Sequence, residues 1–555
     1  MERIWLDQYP PGVPADIDTT PYESLLTILD DSCRRFAGNP AYTSLGTTIT
    51  YAEFDRLSRD FAAWLQSRGL RQGDRVALML PNLLQYPICL FGALRAGCVV
   101  VNCNPLYTAH ELAHQLGDAG AQAIVIAENF AHTLQKALPH TALRHIVVTS
   151  IGELLGPIKG RAVDLAVRHI KRKVPAWSLP GTVRLRTALA AGRSLSLRPP
   201  TLTRADPAFL QYTGGTTGVA KAAVLSHGNM LANLCQAHAW IRGHLREGEE
   251  CIVTALPLYH VFALTANCLT FIKLGARNLL IPDPRDLPAF IKALRKTPFS
   301  ALTGVNTLFC ALLNHPDFAK LDFSRLRITL GGGMAVQRAV AQRWREVTGV
   351  SLCQAYGLTE TSPAVTLNPL DVSTFTGSIG LPVPSTEISI RDDDGRELPP
   401  GETGELCVRG PQVMSGYWKQ PAETAQVFHP DGFLRTGDMG YVDKRGYVYL
   451  VDRKKDLILV SGFNVYPNEV EDAAALHPGV REVAAVGVPD ERSGETVKLF
   501  VIRRDPSLDA ATLIAHCRQH LTGYKVPRHV EFRDELPRSA VGKILRRELK
   551  PGSRS

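Results

Sequence analysis

The chain has 555 residues, of which 45% are hydrophobic and 21% charged, and its formal net charge is +9. That length is too great for one simple core, so two or more domains are expected, and the composition is that of an ordinary soluble globular protein. The basic balance suits an anionic partner, but no zinc-finger spacing or arginine-rich tail points to nucleic acid.

The N-terminus, MERIWLDQYPPG, lacks a basic region followed by an apolar run, so no signal peptide is expected. Thr50 and Glu53 form a capping-box pattern, and Phe54, Leu57, Phe61 and Leu65 then mark one helical face. Gly69 ends that helix, and RVALML reads as a buried strand. A helix over residues 84–96 and the strands CVVVN and AIVIA continue a βα rhythm, which favours a largely parallel sheet covered by helices.

The stretch IKGRAVDLAVRHIKRKVPAW breaks the rhythm. On one helix, Val163, Ala166, Val167, Ile170 and Val174 share a face, while Arg161, Arg168, Lys171, Arg172 and Lys173 make the rest basic. Two readings stand side by side: peripheral contact with an anionic membrane, or a helix packed on its own domain with a solvated basic face. No run approaches 18 uncharged apolar residues, so no membrane span is expected.

A second βα region is expected over residues 205–365 and a small β-rich subdomain over 375–450. Beyond Asp452 come a helix from Pro467 to Leu476, the strands VAAVGV and KLFVIR, and a helix around 509–521, which together read as a small α+β domain. The 11 cysteines form no CxxC pair, and many, such as Cys89, Cys98, Cys268 and Cys310, sit in apolar runs. Buried free thiols in a reducing, cytoplasmic compartment are the expectation.

The sharpest local signal is FLQYTGGTTGVAKAAVLSH, residues 209–227. Glycines let the backbone approach a ligand, hydroxyls and amides can bind phosphate oxygens, and Lys221 can neutralise them. The spacing is neither that of a Walker A loop nor that of a dinucleotide fingerprint.

This segment resembles the phosphate-binding signature of the adenylate-forming superfamily, which includes acyl-CoA synthetases, beetle luciferases and peptide-synthetase adenylation domains. Further motifs follow in order: PLYHVF (257–262), GGGM (331–334), QAYGLTETSP (354–363), GELCVRGPQVMSGYW (404–418), DGFLRTGDMG (431–440), DRKKDLILVSGFNVYPNEVE (452–471) and PRSAVGKILRREL (537–549). LVSGFNVYPNEVE, ALTGVNTLFCALLNHPDF and the basic stretch before residue 175 resemble bacterial long-chain fatty acid–CoA ligases in particular. One departure is Ala222, where that branch often has glycine.

The resemblance implies an α/β fold with βαβ-type subdomains and a β-rich subdomain in an AMP-binding region (1–451), followed by a mobile small α+β domain (452–555). It places Thr213, Gly214, Gly215, Thr216, Thr217, Gly218 and Lys221 on the ATP phosphates and Glu360 on Mg²⁺, for which a hard carboxylate is apt. Thr359 would touch the α-phosphate, while Tyr356, Gly332 and Gly333 would border the adenine. Asp438 would take the ribose hydroxyls, with Arg453 assisting.

Lys543 matches the adenylating lysine and Lys455 the hinge, while Ser461, Gly462 and Phe463 would line the pantetheine tunnel after rotation of the small domain. His260 would position groups between the nucleotide and acyl sites rather than act as a base, because a carboxylate substrate is already ionised at neutral pH. The implied activity is ATP-dependent ligation of a long-chain fatty acid to coenzyme A. Alternatives are ligation of a medium-chain or other carboxylic acid, or loading of a carrier-protein thiol. A homodimer is left open.

Overall fold

The computed structural model describes residues 2–213, 220–372, 374–461, 463–490, 492–539 and 542–550. Two large sheets dominate the first four hundred residues. One is seven-stranded, in the order Thr182–Arg184, His145–Thr149, Ala121–Ala127, Arg75–Met79, Val99–Asn102, Pro207–Thr213 and Lys221–Ser226. It is parallel except for its last pair, which frames the glycine–threonine loop.

The other large sheet is nine-stranded. Its interior is parallel, running through Leu352–Gly357, Ile328–Gly331, Ala301–Gly304, Cys251–Thr254, Arg277–Leu280 and Pro40–Ser44. The expected split into an early and a late βα region is therefore corrected. Strands Pro40–Ser44 and Thr47–Thr50 join the late sheet, and Pro207–Thr213 and Lys221–Ser226 close the early one. Periodicity reports how a strand is covered, not which neighbour it takes.

The local signals hold. Thr50 and Glu53 make a reciprocal capping box at the start of helix Tyr51–Ser67, and Phe54, Phe61 and Leu65 are buried. Every residue of helix Gln85–Arg95 is buried, consistent with its almost wholly apolar sequence. The Tyr86 hydroxyl lies between two acceptors that share its proton, Asn102 Oδ1 at 2.7 Å in one sheet and the Leu258 carbonyl at 2.8 Å beyond a strand of the other. Asn82 donates to the carbonyls of Thr254 and Leu256, both at 2.9 Å. These buried polar bridges fix the two sheets against each other beneath the site.

The basic segment departs from its expected form. The helix Pro157–Leu165 continues as a π-helical turn, Ala166–Ile170, and stops there. Val163, Ala166 and Val167 are half-buried, whereas Ile170 is exposed together with Ile158 and Leu165. Arg172, at φ 49°, turns the chain away before Val174 can join the same face. A wide π turn displaces later residues around the helix axis, which a 3.6-residue reading cannot anticipate.

An antiparallel sheet follows: Glu387–Arg391, Gly404–Arg409, Leu434–Val442 and Val448–Arg453. Residues 454–457 lead into a small unit with its own five-stranded sheet and apolar core. Its helices are Pro467–Ala475 and Ala510–His520. All 11 cysteines are free thiols, and ten of them are buried. No helix among the described residues is long and apolar enough to cross a membrane.

Candidate active site

A cavity of about 2210 Å³ opens at the carboxyl ends of the parallel strands, where open α/β sheets place their ligands. Thr213, His260, Gly332, Gly333, Tyr356, Thr359 and Glu360 all follow or end such strands, and all line it. Lys221, Asp438, Arg453, Lys455 and Lys543 line it as well. Gly214, Gly215, Thr216, Thr217, Gly218 and Gly462 lie outside the described residues.

At one end Asp438, buried on the strand Leu434–Val442, accepts from the Tyr356 hydroxyl at 2.6 Å. It also lies 3.1 Å from Arg453 Nε on the adjacent strand. Burial and the facing carboxylate push the Tyr356 hydroxyl far above its ordinary range. Gly332 sits where a Cβ would come within 3.0 Å of the Phe262 ring and 3.1 Å of the Ala355 carbonyl oxygen, so a side chain here would press on both.

Glu360 lies in a short turn, Thr359–Thr361, after the strand Leu352–Gly357. Tyr417 donates its hydroxyl to Glu360 Oε1 at 2.8 Å. The ring of Tyr417 also lies under Lys221, whose ammonium is 5.6 Å from its centroid and pairs with Glu423. Among the described residues no group of three or more His, Cys, Asp or Glu is arranged to hold a metal. One oriented carboxylate beside a phosphate site still suits Mg²⁺, which keeps phosphate and water oxygens as its other ligands.

Lys543 reaches the cavity from the small unit. Burial, and next the charge of Arg453, lower its ammonium to about 8. Burial, then the charge of Lys543, lowers the imidazole of His260 to about 4, so that ring is neutral near pH 7. Its Nδ1 accepts from the Phe262 amide at 3.3 Å, which leaves the proton on Nε2. Ser461 and Phe463 are not brought in: Phe463 is exposed on the hairpin of the small unit and stacks on Tyr524 at 4.9 Å.

Ile241, Ile252, Val261, Phe262, Phe271 and Ala301 line the same cavity. They come from several elements, the segments 261–275 and 301–313 among them. Sequence reasoning missed Tyr417 and Glu423. Tyr417 was quoted inside the motif ending GYW, but its partner Glu360 lies far away in the chain, and nothing local signals the contact.

Comparison with known proteins agrees with this geometry. The AMP-binding enzyme family matches residues 29–418, and the AMP-binding enzyme C-terminal domain matches residues 469–543. A long-chain-fatty-acid–CoA ligase of Escherichia coli O6:H1 is 56% identical over 555 residues, covering 100% of this chain and 99% of that protein. One from Bacillus subtilis is 40% identical, covering 99% and 98%. The anthranilate CoA ligase AuaEII with anthranoyl-AMP superposes with a TM-score of 0.82 at 25% identity, covering 95% and 96%. ATP-bound MatB from Rhodopseudomonas palustris gives 0.78 at 28% identity, covering 95% and 98%. With that family model matched over residues 29–418 and relatives 56% identical along the full length, the chain belongs to the AMP-binding enzyme family.

Proposed function

We propose that the chain is an ATP-dependent, AMP-forming long-chain fatty acid–CoA ligase. The observation that carries this reading is one cavity lined both by Glu360, Asp438 and Lys543 and by apolar side chains such as Ile252, Phe262 and Phe271. A fatty carboxylate oxygen attacks the α-phosphorus of ATP, and the bond to pyrophosphate breaks. The thiol sulfur of coenzyme A then attacks the acyl carbonyl, its proton is lost, and AMP leaves. The long-chain ligases at 56% identity support coenzyme A as acceptor over a carrier protein.

In this reading Asp438, with Tyr356 and Arg453 fixing its carboxylate, accepts hydrogen bonds from the ribose hydroxyls. Lys543 offsets the negative charge that gathers between carboxylate and α-phosphate. His260 donates Nε2–H toward the acyl carboxylate and orients it. Thr213 and Lys221 face the phosphates, and Glu360 would hold Mg²⁺. When bound, that ion supplies charge neutralisation on the phosphate oxygens.

Each methylene that packs on this apolar lining contributes roughly 0.8 kcal/mol if fully buried. A series of acids from four to eighteen carbons plus benzoate, scored by kcat/KM, tests the assignment. A maximum at twelve to eighteen carbons is expected. A maximum at six to ten makes it a medium-chain ligase, and a benzoate maximum discards the aliphatic site.

Peripheral contact with an anionic membrane is a second part of the proposal. It is supported by Ile158, Leu165 and Ile170, which are 86%, 60% and 77% exposed, beside Arg161 and Arg172.

A further inference from the structure

We infer that Arg546 is a positioning residue for the adenylation half-reaction: its ion pair with Asp452 fastens the Lys543 loop to the nucleotide-bearing sheet. Asp452 stands on the strand Val448–Arg453, which pairs with Leu434–Val442, the strand that carries Asp438. Arg546 belongs to the small unit, whose core takes in the neighbouring Leu549. The pair Arg546 Nη1–Asp452 Oδ1, at 3.0 Å, therefore crosses from one unit to the other over the connecting residues 454–457.

The other partners of this guanidinium travel with it. Glu471, on the helix Pro467–Ala475, takes Nε at 2.9 Å and Nη2 at 2.8 Å, and Asn468 accepts from the same Nη2. Asp456 stands 3.9 Å away. The Glu471 fork fixes Arg546 in the small unit and leaves Nη1 aimed at the large one. Asp452 also accepts from the amide of its neighbour Arg453 at 2.7 Å and, across the same junction, from that of Asn468 at 2.8 Å. Its side chain is 1% exposed, so an unpaired carboxylate there would be costly.

From Asp452 the connection runs through its neighbour Arg453 to Asp438 and Tyr356. On the other side, Lys543 lies three residues before Arg546. A rotation that withdraws Lys543 must break the Arg546–Asp452 pair while sparing the Glu471 fork. The pair thus belongs to one orientation of the small unit, the one that presents Lys543 to the cavity.

This inference rests on the reading of Lys543 as the adenylating lysine, so Lys543→Ala is the comparator. Two half-reactions are measured in full-length enzyme: acid-dependent ATP–pyrophosphate exchange, and thioester formation from supplied acyl-adenylate and coenzyme A. Asp452→Asn is expected to lower kcat for exchange at least tenfold, with the KM for ATP within twofold, and to leave thioester formation at the parental rate. Arg546→Lys keeps the charge but loses the fork, and should show a smaller loss confined to exchange. Fluorophores on the two units should report a larger mean separation in Asp452→Asn.

Equal loss in both half-reactions, or no loss in exchange, in either folded variant overturns the inference. Should Asp452→Asn not fold, Arg546→Lys decides alone by the same criterion. If Lys543→Ala fails to lose exchange selectively, the reading of the lysine falls. If it does so while the other variants do not, only the role of Arg546 falls.

Discussion

In the role proposed for it, Lys543 must be an ammonium to neutralise charge at the reacting phosphate, yet burial and Arg453 hold its proton loosely, at about 8. The group is lowered from the ordinary lysine value, so the charged form is lost as pH rises through about 8 instead of through a value above 10. The kcat/KM for ATP–pyrophosphate exchange should therefore fall above pH 8, and in Lys543→Arg that limb should vanish from whatever activity remains. Bound triphosphate stabilises the ammonium, so the corresponding limb in kcat should lie at higher pH. Persistence of the same limb in Lys543→Arg would assign it elsewhere.

Tyr417 allows a second residue-scale expectation. Its hydroxyl holds one oxygen of Glu360, and Tyr417→Phe removes that bond while keeping the ring beneath Lys221. The Mg²⁺ concentration for half-maximal exchange should rise roughly tenfold, and direct titration of Mn²⁺ into the nucleotide complex should weaken in parallel. An unchanged midpoint in both would remove Tyr417 from this role. At this scale the sequence named many of the groups that line the cavity, because their chemistry is carried by residue type within motifs. The partners that orient them, Tyr417 for Glu360 and Arg546 for the lysine loop, lie on other elements and come together only through the fold.

Elements were most legible where a signal is local. Thr50 and Glu53 predicted a helix start through two hydrogen bonds spanning three residues, and both are present. The segment 157–170 was least legible, because its π turn shifts the exposed side to Ile158, Leu165 and Ile170. Three basic residues in it or just beyond it already face carboxylates: Arg168 meets Glu128 at 2.6 Å, Lys171 meets Asp286 at 3.9 Å and Lys173 meets Asp283 at 3.5 Å. Replacing Ile158, Leu165 and Ile170 by Ser should thus reduce retention on anionic vesicles more than replacing Lys171 and Lys173 by Gln. Equal retention in all variants would leave the ridge as plain surface.

Close packing of helix on helix sets another element-scale expectation. A Cβ on Gly192, at the end of helix Leu185–Gly192, would lie 1.8 Å from the Asp60 carbonyl oxygen in helix Tyr51–Ser67. Gly192→Ala should cost about 3 kcal/mol or more, read from denaturant midpoints, because backbone must move to admit it. A change below about 1 kcal/mol would mean the two helices separate easily.

At the scale of the whole molecule, composition and βα rhythm disclosed the fold class, and the motifs disclosed the order of its parts. The pairing of strands was not legible, since parallel partners are chosen by packing across long connections. The exchange of strands between the two large sheets has a consequence for biosynthesis. The ribosome releases Pro40–Ser44 long before Arg277–Leu280, the strand against which Tyr42 pairs with Asn278. At roughly 5–20 residues per second, the early strand waits about 10–50 s for its partner, with its apolar face open to solvent or a chaperone. Stalled nascent chains ending near residue 250 should leave the 40–50 segment open to protease, and chains carrying residue 281 clear of the exit tunnel should protect it. The N-terminal hairpin is among the first parts made and among the last to be seated.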